Sequence, residues 1–216
     1  MKKNTDTQER NCHQTSSEIY IHLFEIGKRL LTESDIDKML TFAMDEAIRI
    51  SCAERGMIIL FDNAGHTLFQ TARHLNNEDI KDPEFEISRT IIETVQKEKQ
   101  PTCLQNALDD PNFKKSESVE QLQLLSVICL PLLHEDALFG VVYLDNRTFS
   151  GIFEPETCTF VQEFANFISL AAFQALDRKQ LQNHVNELEA ELRGKHQFDQ
   201  IIGHHPKMVE ILKLIS

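Results

Sequence analysis

Glycine is scarce in this chain, with seven among 216 residues, and none falls into the spacing of a glycine-rich phosphate loop. Such a loop needs backbone N–H groups free to approach phosphate oxygens, so nucleotide cradling by a loop of that kind is excluded. Basic charge is also short. Twenty-two Lys and Arg against 34 Asp and Glu leave a formal charge of −12, which removes any general attraction to phosphate backbones or anionic lipid. No direct nucleic-acid binding by this stretch is expected. No apolar run approaches the ~20 residues that a membrane helix needs. The N-terminal MKKNTDTQERNCHQTSS lacks the apolar core of a signal peptide, so the expectation is a cytoplasmic protein without membrane contact.

Paired cysteines are missing too. The five cysteines, Cys12, Cys52, Cys103, Cys129 and Cys158, never form a C-x-x-C pair, so no zinc or iron–sulfur site is indicated. Cys52, Cys129 and Cys158 stand in apolar or helical surroundings and read as buried free thiols that behave as small hydrophobes. The adjacent His204 and His205 have no Cys or acid at ligand spacing, so no metal is expected. No Ser/His/Asp constellation is present either. The reading is therefore of a protein with no catalytic residue and no required cofactor.

What remains is a clear order of elements. Apolar residues at Ile19, Leu23, Phe24, Leu30 and Leu31 predict an amphipathic helix that breaks near Thr32 to Asp35. Ser34, with Asp37 three residues on, is placed to cap a second helix whose inner face is Ile36, Met39, Leu40, Ala43, Ala47 and Ile48. RGMIILFD, ending in Asn63-Ala64-Gly65, and the run from His66 to Leu75 predict an antiparallel hairpin. A helix from Ser88 to Lys99 follows, with Ile91, Ile92 and Val95 inward, then a short edge strand at Thr102 to Leu104 and a polar loop opened by Asp109-Asp110-Pro111. A short helix within Val119 to Leu125 leads to two strong strand signals, Ser126 to Leu133 and Leu138 to Asp145. In the first, Val127, Cys129 and Leu133 alternate with Ile128, Leu130 and Leu132, so both faces are apolar, which marks a strand covered on both sides. Pro131 within it calls for a bulge or an unpaired side.

From Pro155 no breaker appears until Gly194, which predicts one helix of roughly 57 Å at 1.5 Å per residue. Its first half is broadly apolar. Its second half narrows to Leu181, Val185, Leu188 and Leu192, spaced four, three, four, the spacing of a coiled-coil seam. Residues 194–198 then serve as a joint to the last segment. The expected organisation is a disordered arm at 1–16, a folded domain at 17–176, a helical linker at 177–198 and a further segment at 199–216. The last segment, IIGHHPKMVEILKLIS, places an apolar helical set behind a Gly-x-x-Pro turn, too few residues to bury a core.

These words carry two resemblances. The last segment resembles the first stretch of the AAA+ ATPase of bacterial sigma-54-dependent transcriptional activators, just upstream of its Walker A loop. The folded domain resembles the GAF sensory domains that precede such ATPases, through Arg55-Gly56, Asp109-Asp110-Pro111-Asn112-Phe113, Ser116-x-Ser118-Val119, Ser126 to Leu132 (SVICLPL) and Gly140 to Arg147 (GVVYLDNR). The resemblance implies an α+β fold: an antiparallel sheet of five or six strands, helices on one face carrying the chain ends, a long C-terminal coiled-coil helix, and a ligand pocket on the other face beneath residues 75–125. It implies a signal-sensing, homodimeric module that controls an ATPase. Sigma-54 RNA polymerase and enhancer DNA would be partners through domains that this stretch lacks.

Under that resemblance the candidate ligand residues are Asn76, Asn77, Ser88, Arg89, Cys103, Asn106, Asp109 and Ser118, facing Ile128 and Tyr143, with the small molecule unidentified. Asp109, Asp110 and Asn112 also have a plain reading as turn formers. The candidate dimer residues are Phe164, Phe167, Ile168, Ala171, Leu181, Val185, Leu188 and Leu192. Cyclic-nucleotide-binding GAF domains carry an acidic pair where this chain has Thr157-Cys158, and Asn146-Arg147 are read as holding the strand end against the exit helix. Two alternatives stay open. One is a ligand-free GAF domain that only dimerises; the other is a cysteine-dependent enzyme like the free methionine sulfoxide reductases, with Cys103 and Cys129 near one pocket.

Overall fold

Alternating and helical apolar periods translate directly into ten elements in the computed structural model, which describes residues 16–62, 64–80, 88–114, 116–196 and 210. They are α1 (Ser16–Thr32), α2 (Ile36–Ser51), β1 (Arg55–Phe61), β2 (Thr67–His74), α3 (Arg89–Glu98), β3 (Thr102–Leu104), α4 (Glu117–Gln121), β4 (Ser126–His134), β5 (Ala137–Asn146) and α5 (Pro155–His196). The strands form one antiparallel sheet in the order β2-β1-β5-β4-β3. This is the expected α+β arrangement. The expected arm at 1–16 and the segment at 199–216 lie outside the described residues, apart from Ser16 and Glu210.

The inner face of α2 is buried as its spacing requires, with Met44 and Ser51 added to the predicted set. Its cap differs: Asp35, not Ser34, accepts from the backbone N–H groups of Asp37 and Lys38. Asp35 stands one position before the first helical residue, where a side-chain oxygen reaches the second and third N–H groups. Gly56, the second residue of β1, faces Met44 of α2 and has no room for a side chain. A Cβ at Gly56 would sit 2.6 Å from the Met44 methyl and 2.8 Å from Leu144 Cδ2.

Strand register sorts the sheet residues onto two faces. Met57, Ile59, Val127, Cys129, Val141 and Tyr143 join the buried cluster formed with α3, the loop after β3 and α4. Ile58, Leu60, Ile128, Leu130, Leu132, Val142 and Leu144 are buried on the opposite face, the side of α2 and its Met44. β3 pairs with β4 only from Val127 to Cys129, so one side of β4 has no strand partner at Pro131, and the register shifts just after it, between Leu132 and Leu133. A residue without an N–H is tolerated there.

α5 runs through Gly194 to His196, so residues 194–198 do not form a joint as a whole. A single glycine costs a helix interior about 1 kcal/mol, which a long helix absorbs. The chain divides into two units, Met1–Ala175 and Leu176–Ser216, with the division inside α5. In the first unit α5 touches β3 through Cys158 and the β4–β5 hairpin through Phe173, which stacks on His134 at 3.5 Å and meets Phe139 edge-on. Gly27 of α1 lets Phe167 of α5 close in, where a Cβ would lie 2.7 Å from the ring. In the second unit Leu181, Val185, Leu188 and Leu192 are all exposed.

Candidate functional site

The α3 face of the sheet carries the polar groups that folding brings together. Ser88 is fully buried at the N-cap of α3, and its backbone N–H donates to Tyr143 Oη at 3.4 Å. Ser88 Oγ lies 2.9 Å from Ser118 Oγ, which also meets Thr90 Oγ1 at 3.2 Å and Ser116 Oγ at 3.0 Å. The hydroxyls join the starts of α3 and α4. Below them, Asp145 is fully buried beside Tyr143 on β5 and accepts from Arg55 Nε at 2.9 Å and Nη2 at 2.7 Å, both on Oδ1. Its Oδ2 has no hydrogen-bond partner among the described residues. Burial pushes the Asp145 carboxyl above its ordinary range, outweighing the opposing pull of Arg55 and Arg147. Burial likewise holds the Tyr143 phenol well above its usual value, so it stays a neutral donor and acceptor.

Beside this network a cleft of about 330 Å³ opens between α3 and the β1–β2 hairpin. Met57 and Ile59 form its apolar floor, Thr67 and Gln70 of β2 its far side, and Arg89, Ile92, Glu93 and Gln96 its helical wall. The spacing of that wall, three, one and three residues, is one face of a helix. An apolar floor with a few convergent polar groups suits a small polar metabolite, and the volume lies at the lower end of such sites. Deeper between the sheet, α3 and α4 the space is filled. Phe113, Val119, Leu124, Val127 and Tyr143 are all buried there.

Of the residues singled out in the sequence, Ser88, Ser118 and Tyr143 come together, and Arg89 lies at the adjacent cleft. Asn76 and Asn77 are exposed in the turn after β2, with Asn76 Oδ1 accepting from Glu78 N and Asn77 at a φ of 61°. Asn106 donates to Asp109 Oδ2 and accepts from Leu108 N, and Asp110 Oδ1 accepts from Asn112 N. Their side chains are occupied in making the turn.

Cys103 and Ile128 require correction, because they are cross-strand partners on the face opposite Cys129 and Tyr143. Ile128 is buried beneath the helix side. Cys103 is exposed and joined to Cys158 in a disulfide, with Cα atoms 6.4 Å apart. Cys103 and Cys129 therefore do not share a pocket. The free-thiol reading also fails for Cys158 and for Cys52, which is disulfide-bonded as well. It holds for Cys129, fully buried with its thiol pushed far up by desolvation.

Three of the dimer candidates are corrected as well. Phe164, Ile168 and Ala171 are buried within their own unit and present nothing to a second chain. Asn146 Oδ1 accepts from Thr148 N and Phe149 N, and Arg147 N donates to Glu54 Oε2. These bonds close the turn after β5 and tie it to the chain before β1.

The sheet order, the helix side and the α3 face meet what comparison with known proteins finds: the family model of the GAF domain matches residues 35–172, well over half the chain. The chain belongs to the GAF domain family. Among solved structures, this GAF domain is similar to that of an Acinetobacter phosphoenolpyruvate-protein phosphotransferase, with a TM-score of 0.58 and 15% identity, covering 76% of this chain and 97% of that one. It is also similar to the free methionine-R-sulfoxide reductase of Neisseria meningitidis, with a TM-score of 0.57 and 12% identity, covering 76% and 96%. At such identities the likeness is one of fold. A curated relative, the Nif-specific regulatory protein of Herbaspirillum seropedicae, is 23% identical over 200 residues. That match covers 88% of this chain and 37% of the relative, so the chain spans little more than a third of its length. No described helix is long and apolar enough to cross a membrane.

Sequence reasoning passed over Arg55, Asp145, Gln70, Glu93 and Gln96. Arg55 and Asp145 become partners only through the β1–β5 register, a pairing 90 residues apart that no local pattern encodes. Glu93 and Gln96 were legible as the polar side of α3, since they lie one and two turns from Arg89.

Proposed function

We propose that this chain is the regulatory module of a sigma-54-dependent transcription activator, sensing a small molecule at the α3 cleft and dimerising through the second half of α5. The observation that carries this reading is the extent of the match to the Nif-specific regulatory protein. It runs over 200 residues, beyond the 35–172 of the GAF domain itself, so the likeness includes flanking segments as well as the fold. The tail from Ile201 supports an ATPase output, and the four exposed seam residues support a paired α5. In this reading the GAF domain occupies 17–176 and the linker 177–198, while 199–216 opens the ATPase. The whole protein is cytoplasmic, hydrolyses ATP and meets sigma-54 polymerase and enhancer DNA through its other domains, while this stretch itself performs no catalysis.

Ligand binding is tested by a thermal-shift screen of nucleotides, carboxylates and amino acids, with mass spectrometry of the denatured protein for co-purified compounds. A ligand at a hundred times its Kd stabilises by about 2.7 kcal/mol, which for a domain of this size raises Tm by roughly 5–10 °C. The shift should vanish in the double variant Arg89→Ala, Glu93→Gln. A second reading, a ligand-free dimerisation domain, is favoured by the filled space around Phe113, Val119 and Leu124. It prevails if no compound shifts Tm and none co-purifies.

A further inference from the structure

The bond between Cys103 and Cys158 joins two places that nothing else requires to be covalently linked. Cys103 stands on β3, a three-residue edge strand held by β4 alone. Cys158 lies in the first turn of α5, 55 residues further along the chain. Their Cα separation of 6.4 Å lies within the range that a disulfide spans without backbone movement. The neighbouring loop is anchored independently, since Gly151 N donates to Gln105 O at 2.8 Å and Ser126 Oγ to Gln105 O at 3.0 Å. When the bond opens, the Cys158 thiol has an acceptor waiting, because its Sγ is 3.6 Å from Phe153 O. Cys103 is exposed and Cys158 half-buried, so small thiols reach the pair. Cys129, fully buried, is closed to them.

We propose that Cys103 and Cys158 form a reversible thiol–disulfide site that takes a low-molecular-weight disulfide as oxidant and the corresponding thiol as reductant. The proposal rests on the cytoplasmic reading above, since disulfides in that compartment are mostly transient or redox-sensing. The exposed Cys103 thiolate attacks one sulfur of the small disulfide, giving a mixed disulfide and releasing one thiolate. Cys158 thiolate then attacks the Cys103 sulfur, closing the protein disulfide and releasing the second. The protein gives up two electrons and two protons, and the small disulfide becomes two thiols. Reduction is the reverse. Opening the site removes the covalent tie between the sheet edge and the start of the exit helix.

The test equilibrates the chain in glutathione buffers of stepped reduced-to-oxidised ratio, quenches by alkylation and maps the peptides by mass spectrometry. The linked Cys103–Cys158 peptide should pass from more than nine-tenths to less than one-tenth of the total within the ratios tested. In Cys158→Ser a glutathione adduct should accumulate on Cys103, at least tenfold over any on Cys129. Circular dichroism of Cys103→Ser and Cys158→Ser should match reduced wild type, which shows that the variants fold. Persistence of the bond at the most reducing ratio would make it a fixed staple and overturn the site, leaving the regulatory reading intact. Failure of the bond to form at the most oxidising ratio, or an adduct that avoids Cys103 in Cys158→Ser, would overturn it equally.

Discussion

Arg55→Met should lower the unfolding free energy of the GAF domain by about 3–5 kcal/mol, the usual cost of leaving a buried charge without its partner. Asp145 is fully buried, and both Arg55 hydrogen bonds fall on its Oδ1, so removing the guanidinium strips the carboxylate of its main compensation. Adding Asp145→Leu should restore most of the loss, because a buried ion pair is often replaceable by apolar groups of similar size. Urea melts of the two singles and the double give the cycle directly. The pH dependence has a definite sign. Asp145 titrates above its ordinary value of 3.8 in the folded state, so the native protein binds this proton more tightly than the unfolded chain does. Its contribution to stability therefore grows as pH falls through the interval above 3.8 and is lost as pH rises. Without Arg55 that interval widens upward, so Arg55→Met should recover part of its stability on mild acidification, whereas the double variant should not.

Leu188→Asp should convert the proposed dimer to monomer without unfolding the GAF domain. Leu181, Val185, Leu188 and Leu192 are 58%, 47%, 47% and 56% exposed in the single chain and recur at four, three, four, so pairing two α5 helices would bury all of them. Each dimer would lose two leucine side chains, worth about 3–6 kcal/mol together, which weakens its Kd by roughly two to four powers of ten. Sedimentation equilibrium should place wild type at twice the chain mass in the micromolar range and Leu188→Asp at the chain mass. The melting of the GAF unit should move by no more than about 0.5 kcal/mol, because the substituted site is an exposed surface. The same change at Ile168, fully buried within the GAF unit, should instead unfold the domain.

The contrast between Leu188 and Ile168 shows where the sequence speaks and where it stops. Element order was legible because each period is local. Ile36 to Ile48 repeats as a helix, β4 and β5 read as a hairpin, and Ile91, Ile92 and Val95 point α3 inward as expected. Faces and partners were not. β4 is apolar at every position from Val127 to Leu130, so nothing in it says that Ile128 turns to the side of α2 while Cys129 turns to α3. The same ambiguity placed Cys103 in the pocket and left Cys158 as an inert thiol, because a disulfide across 55 residues depends on register and helix placement together. Likewise the broad apolar face from Phe164 to Ala171 looked suited to a partner, yet Phe164, Ile168 and Ala171 are buried within the GAF unit itself. Asn106 and Asp109 illustrate the converse, since their side chains bond within the turn itself, Asn106 to Leu108 N and to Asp109.

Hydrogen exchange along α5, measured with and without the compound that gives the largest thermal shift, tests the link between cleft and output most directly. If occupancy of the α3 cleft biases how two exit helices pair, the peptide spanning Leu181 to Leu192 should change its exchange rate several-fold on binding, together with peptides from α3. Leu188→Asp should erase the change in α5 and keep the change in α3. A compound that raises Tm and protects α3, while the α5 peptide exchanges at the same rate in both states, would contradict the account.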